Sequence, residues 1–363
     1  MKAHALRIGK AMSAALFVLL LVAVGMKNAL AQEQNLTATL QHNDSIAGVY
    51  YGVNALVSAH DAATTGDIIT LSSGTFNACD ISKAITIHGA GCVYDSVTHV
   101  KKTQISGNFK IGIANITFEG IHFSGSISDY GTAIDNVSFV KCVINTIRKD
   151  STHGNINNSN WQFINCLIMD FNPYGSSGGI NYLYTACYTN MSIINCVVRF
   201  KNHCHLDINK PTTIINSVVL FDSGGGNNGK IYRNILSYNN IIATTVSGLS
   251  VSNCTFFNTI GIKLGQASVF DGQTCNTVME VDNYSDVFET FNGTITENNI
   301  YQLKNEIATS FLGHDGTEVG IYGGLMPYST RPHYMIIRNC NVAGRTTIDN
   351  KLSVEIELLD EDE

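Results

Sequence analysis

One short pattern recurs along the middle of the chain and restricts the folds open to it. Val137-Ser138-Phe139-Val140-Lys141-Cys142-Val143-Ile144 is followed by Trp161-Gln162-Phe163-Ile164-Asn165-Cys166-Leu167-Ile168. Met191-Ser192-Ile193-Ile194-Asn195-Cys196-Val197-Val198 and Thr212-Thr213-Ile214-Ile215-Asn216-Ser217-Val218-Val219 continue it. Ile116–Phe123 fits upstream, with Gly120 in place of asparagine, and Val251–Phe256 repeats the theme downstream. The marker stands at 120, 141, 165, 195 and 216, in steps of 21, 24, 30 and 21 residues. Beyond it, Asn234 and Asn240 both fit as the next marker. Repeats of this length are the mark of a solenoid, in which each unit buries its apolar face only against its neighbours. Each unit here holds short strand patterns and no helical one. It therefore reads as one coil of a parallel β-helix, an all-β solenoid.

Side-chain alternation supports this reading. Phe163, Cys166 and Ile168 point inward in one coil, with Ile193, Cys196 and Val198 above them in the next. The in-and-out phase changes at Asn165 and Asn195, as it would at a bend made by one residue of positive φ. Asparagine and glycine tolerate that conformation best, and Lys141 is the exception to the rule. Coils about 4.8 Å apart stack like on like, and each buried side chain contributes roughly 1.5–3 kcal/mol.

The chain has ten cysteines. Cys142, Cys166, Cys196 and Cys254 read as sharing one inward slot, filled elsewhere by Ile121 and Ser217. Free buried thiols are expected there. No C-x-x-C pair occurs to suggest zinc. Pairing of Cys79 with Cys92 is left open.

The start of the chain looks different. Lys2, Arg7 and Lys10 precede the apolar run Ala14 to Val24, and Ala29-Leu30-Ala31 offers a small-residue cleavage site. This describes a secretory signal peptide over 1–31. The expected destination is periplasmic, outer-surface or extracellular, with no membrane span left after cleavage. Removal takes away Lys2, Arg7, Lys10 and Lys27 and no acid, which moves the net charge from −7 to −11. So acidic a chain is a poor partner for nucleic acid.

The two ends of the repeat carry a resemblance. Val53 to Ala62 reads as a short amphipathic helix, and Gly66-Asp67-Ile68-Ile69-Thr70-Leu71, Gly74-Thr75-Phe76 and Ile85-Thr86-Ile87-His88-Gly89-Ala90-Gly91 follow it. This resembles the capped opening coil of the pectin-lyase-like right-handed parallel β-helix superfamily. Tyr301-Gln302-Leu303 and Asp315-Gly316-Thr317-Glu318-Val319-Gly320-Ile321-Tyr322-Gly323-Gly324 resemble the closing segment of secreted β-helix proteins of Gram-negative bacteria. The resemblance spans roughly 47–330 and implies a β-helix domain over 32–330. Tyr334–Val342 and Lys351–Leu359 read as a small β-hairpin within a C-terminal extension, 331–363, that ends in an acidic tail.

The superfamily holds pectate lyases, polygalacturonases and non-enzymatic surface proteins, and one fold hosts many functions. Lyases of this type need clustered carboxylates for Ca²⁺ and a basic residue as proton acceptor. Here Asp129, Asp135, Asp150, Asp170, Asp207 and Asp222 are scattered. Polygalacturonases need several acidic residues, yet the chain has no Asp-Asp pair, only Thr152-His153-Gly154 and Arg199-Phe200-Lys201. The strongest local candidate is Arg199 to Asp207. Alternation puts Arg199, Lys201, His203, His205 and Asp207 on one outer strip. Lys201, His203, His205 and Asp207 are the candidate catalytic groups, or His203, His205 and Asp207 a metal site. The alternative is an ordinary solvated face. The long unit from 165 to 195 adds Tyr174, Tyr182 and Tyr184, whose rings suit sugar faces, and Arg148 lies one coil away. The expectation is a surface protein that engages extracellular polysaccharide with no intact catalytic motif. A lyase or hydrolase of this fold and an adhesive module are the competitors. No cofactor is expected, with Ca²⁺ as an open possibility.

Overall fold

The structure, a computed structural model, describes residues 36–96, 99–129, 132–148, 158–172, 188–200, 205–206, 212–222, 231–233, 235–246, 249–330, 336–342 and 354–359. The chain is mostly β and winds a parallel solenoid of about eight turns. One flank stacks Ile116–Glu119, Val137–Val140, Gln162–Ile164, Ser192–Ile194, Thr212–Ile215, Ile235–Tyr238, Thr255–Ile262 and Thr274–Val281, all parallel. The register places Phe118, Phe139, Phe163, Ile193 and Ile214 one above another in the interior. Ring centroids lie 5.1 Å apart from Phe118 to Phe139 and 5.3 Å from Phe139 to Phe163. A second flank aligns Phe123, Ile144, Ile168, Val198, Val219 and Ile242.

The bends between flanks explain the repeat. Gly120, Lys141, Asn165, Asn195 and Asn216 all have positive φ, between 47° and 65°. The series continues at Asn239 and Asn258, which corrects the expected markers Asn234 and Asn240. Asn253 also has positive φ, but its register places it at a different bend, with Asn115, Asn136, Asn160 and Asn190. There the asparagine side chains form their own ladder. Asn136 Nδ2 donates to Asn115 Oδ1 at 2.9 Å, and Asn160 Nδ2 to Asn136 Oδ1 at 2.9 Å. Cys254 therefore does not share the slot of Cys142, Cys166 and Cys196. An Asn-Cys dipeptide occurs at both bends, and the dipeptide alone does not tell them apart.

The inward slot after the marker runs Ile121, Cys142, Cys166, Cys196, Ser217, Asn240, Thr259. Its residue types have a hydrogen-bonding cause as well as a packing one. The Cys166 amide donates to Cys196 Sγ at 3.2 Å, the Cys196 amide to Ser217 Oγ at 3.1 Å, and the Ser217 amide to Asn240 Oδ1 at 2.8 Å. Each bend amide is thus satisfied by the slot side chain of the following coil. The slot side chain in turn donates two residues back, as Cys196 Sγ does to the Ile194 carbonyl at 3.2 Å and Ser217 Oγ to the Ile215 carbonyl at 2.7 Å. Burial pushes the Cys142 and Cys196 thiols well up, away from the reactive thiolate. All three slot thiols are sealed from solvent, so native-state alkylation followed by peptide mass mapping should leave Cys142, Cys166 and Cys196 unmodified while labelling the exposed Cys275. Labelling of the three at the rate of Cys275 would contradict the slot assignment.

The helix Ala55–Ala62 starts two residues later than expected and packs beside the antiparallel pair Thr37–His42 and Ser45–Tyr51 at the first coil. At the other end, residues 284–330 fold back as a strap over the outer face of the second flank. Val287, Phe288, Phe291, Tyr301, Val319 and Ile321 join one buried cluster with Val143, Leu167, Val197, Val218 and Ile241. The bend asparagines hold this strap. Asn195 Nδ2 donates to the carbonyls of Ile321 and Gly323 at 2.9 and 2.7 Å, and Asn258 Nδ2 donates to that of Leu312 at 2.8 Å. Ile336–Val342 and Val354–Leu359 pair antiparallel, giving the expected hairpin. Among the described residues no helix is long and apolar enough to cross a membrane.

Candidate functional site

Lys201, His203, Asp207, Tyr174, Tyr182 and Tyr184 lie outside the described residues. His205 begins the short strand His205–Leu206, which pairs in parallel with Ile231–Arg233. Arg148 ends the strand Val143–Arg148 and is exposed. Arg199 stands two coils further on, in Val197–Phe200, and faces outward between the buried Val198 and Phe200.

Arg199 is engaged by its surroundings. Its Nε donates to the Met169 carbonyl at 2.9 Å, and its Nη1 lies 3.7 Å from Asp222 Oδ2. Tyr284 and Tyr301 of the strap are close enough to feel its charge. Burial pushes the Tyr284 phenol up to about 12, with Asp222 adding to the shift and Arg199 opposing it. The Tyr301 hydroxyl is buried without a hydrogen-bond partner. The guanidinium is therefore held by groups of the coils and is already paired with a carboxylate.

A second charged group sits under the same strap. Lys102 Nζ lies 2.9 Å from His122 Nδ1 and 2.9 Å from Glu297 Oε2, and His122 Nδ1 is 3.1 Å from that same oxygen. Glu297 belongs to the strap, while Lys102 and His122 belong to the coils. Asn145, on the next coil, also bonds the imidazole. Burial, and then the Lys102 charge, push the His122 pKa down, with Glu297 opposing. The folded protein thus holds the ring neutral, and the unfolded chain protonates near pH 6.5. Protons then favour the unfolded chain as the pH falls through that value, so the stability from this site is lost on acidification. A His122→Gln variant should show a flatter fall in Tm between pH 7 and 5 than the parent. Parallel Tm–pH curves would refute this. Among the described residues no group of three His, Cys, Asp or Glu side chains is arranged to hold a metal.

The feature that sequence reasoning missed is the outer face of the first flank. The register aligns two outward columns along it. One carries Thr117, Ser138, Gln162, Ser192, Thr213, Leu236 and Thr255. The other carries Glu119, Val140, Ile164, Ile194, Ile215, Tyr238 and Phe257. From Val140 to Phe257 this second column is apolar and partly exposed. It ends in a parallel stack, with the Tyr238 and Phe257 rings 4.8 Å apart and 2° from coplanar. Toward the N-terminal end it closes on an ion pair, His88 Nδ1 to Glu119 Oε2 at 3.1 Å. The signal was present in the repeat as polar–apolar–apolar triplets before Lys141, Asn165, Asn195, Asn216 and Asn258, where the third residue faces out.

Comparison with protein-family models, with curated proteins and with solved structures finds no match to this chain.

Proposed function

We propose that this chain is an exported β-helix protein of the pectin-lyase-like type that binds extracellular polysaccharide along its flat first flank without cleaving it. The observation that carries this reading is the parallel Tyr238–Phe257 stack closing an apolar column beside a column of hydroxyls. A sugar ring has an apolar face and a hydroxyl edge. The apolar column takes the face, while Ser192, Thr213 and Thr255 offer donors and acceptors to the edge. Both columns repeat at the coil spacing, which suits a polymer of repeating monomers better than one small molecule. Binding in this reading needs no metal.

Affinity electrophoresis against a panel of neutral and uronic-acid polysaccharides tests it. One glycan should retard the parent, with or without chelator, and release neither reducing ends nor unsaturated product. The Tyr238→Ala, Phe257→Ala double variant should bind about tenfold more weakly, a loss of about 1.4 kcal/mol. Retardation by no glycan, or equal retardation of the variant, would remove the proposal.

A further inference from the structure

Among the described residues, the stacked strands of the first flank have an open edge at each end. At the N-terminal end, Ser45–Tyr51 pairs, among the described residues, only with Thr37–His42. At the C-terminal end, Thr274–Val281 pairs, among the described residues, only with Thr255–Ile262. Open edges are usually blunted by lysine, proline or a bulge that turns them away. These are not. Ser45–Tyr51 carries no charge and no proline, and it exposes Ile46 at 67%, Val49 at 41% and Tyr51 at 65%. Thr274–Val281 carries one charge, Glu280, and its residues are exposed or half-buried. The interior at this end is already plugged by Phe270, whose ring lies 5.0 Å from that of Phe256. What stays open is the backbone edge itself.

The chain's own C-terminal hairpin does not reach that edge. The Thr330 carbonyl lies 3.9 Å from Cys92 Sγ, and the neighbouring Gly91 amide bonds the Gly120 carbonyl in an early coil. From that coil, the strands beginning at Val137, Gln162, Ser192, Thr212, Ile235, Thr255 and Thr274 must still be crossed. Seven steps of about 4.8 Å make roughly 34 Å. The five residues 331–335 extend at most about 18 Å, so Ile336–Val342 does not lie along Thr274–Val281.

The directions of the edges suit each other. Thr37–His42 is antiparallel both to Ser45–Tyr51 and to the first coil strand, Ile68–Leu71. Ser45–Tyr51 therefore runs the same way as every coil strand, Thr274–Val281 included. A second copy placed on the end would pair parallel, as each coil already does with the next. We infer that copies of this chain stack head to tail, with Thr274–Val281 of one against Ser45–Tyr51 of the next. Such a contact joins two different surfaces and does not close on itself, so it builds open chains whose length grows with concentration.

Sedimentation velocity of the purified full chain across a hundredfold concentration range tests this inference independently of any glycan. The mass should rise through successive multiples of one copy. An Asn276→Lys, Val278→Lys variant blocks one edge and an Ile46→Lys, Tyr51→Lys variant blocks the other. Each should be monomeric with an unchanged circular dichroism spectrum. Mixed in equal amounts, the two should form dimers and nothing longer, because each retains the edge that the other lacks. Should a double variant unfold, Thr274→Lys or Val49→Lys replaces it. A full chain that stays monomeric throughout overturns the inference. So does a mixture that remains monomeric, or a variant blocked at Ser45–Tyr51 that still dimerises through its other end.

Discussion

Replacing Phe139 by alanine is expected to lower the unfolding free energy by about 3–5 kcal/mol. The ring is fully buried. It lies between Phe118, at 5.1 Å and 19°, and Phe163, at 5.3 Å and 5°. Phe123 meets it edge-on at 5.9 Å, and Trp161 is tilted against it at 6.0 Å. Truncation removes contacts with all four. The cavity is poorly placed to collapse, because backbone ladders to Ile116–Glu119 and Gln162–Ile164 hold Val137–Val140 at fixed spacing on both sides. Neighbouring Val140 provides the control. It faces outward and is only partly buried, so Val140→Ala should change stability by about 0.5 kcal/mol or less. Urea unfolding monitored by tryptophan fluorescence reads both, since Trp161 is the one tryptophan in the chain. A Phe139→Ala loss below about 1 kcal/mol would mean that the aromatic column does not bear on stability.

The solenoid was legible because its physics is repetitive. A strand that buries every second residue against an identical neighbour writes the same pattern once per coil. A bend needing positive φ leaves asparagine behind in most coils, as at Asn165, Asn195 and Asn216. The reading failed where two different bends impose the same demand. Asn253 and Asn195 meet the same dihedral requirement at different corners of the coil, so Cys254 was assigned to the wrong column. The asparagines also carry information about partners that sequence cannot show. Asn195 spends its side chain on the strap 126 and 128 residues further along the chain, a contact without local signature.

The candidate site was less legible. Charged and histidine residues draw attention to Arg199–Asp207, where Arg199 pairs with Asp222. The flat face of Ser, Thr, Ile, Tyr and Phe has no unusual residue in it. What makes it distinctive is vertical alignment across coils, and that depends on the register. The unequal coil lengths obscured it, since the register, not a constant spacing, brings Tyr238 and Phe257 together.

Replacing Asn240 by leucine is the other substitution expected to have a large effect, about 2–5 kcal/mol, for a reason opposite to that of Phe139. The side chain is fully buried and makes three hydrogen bonds. Its Oδ1 accepts from the Ser217 amide at 2.8 Å, and its Nδ2 donates to the Ile214 carbonyl at 2.7 Å and to Ser237 Oγ at 2.8 Å. Leucine has similar volume and more apolar surface, so on transfer energy alone it should be favourable in an interior of Phe and Ile. It leaves the Ser217 amide buried without a partner, however, and takes one partner each from the Ile214 carbonyl and Ser237 Oγ; such orphaned polar groups cost about 1–3 kcal/mol each. The orphans win, because the slot exists to satisfy the bend amide. Ser217→Cys separates this from a packing effect. It enlarges the same slot but restores the residue found at 142, 166 and 196, so its cost should stay below about 1 kcal/mol. Hydrogen exchange gives the local readout: in Asn240→Leu the Ser217 amide should exchange much faster, while amides in Ile116–Glu119 keep the parent rate. Unchanged protection at Ser217 would show that the side-chain ladder does not hold the bends.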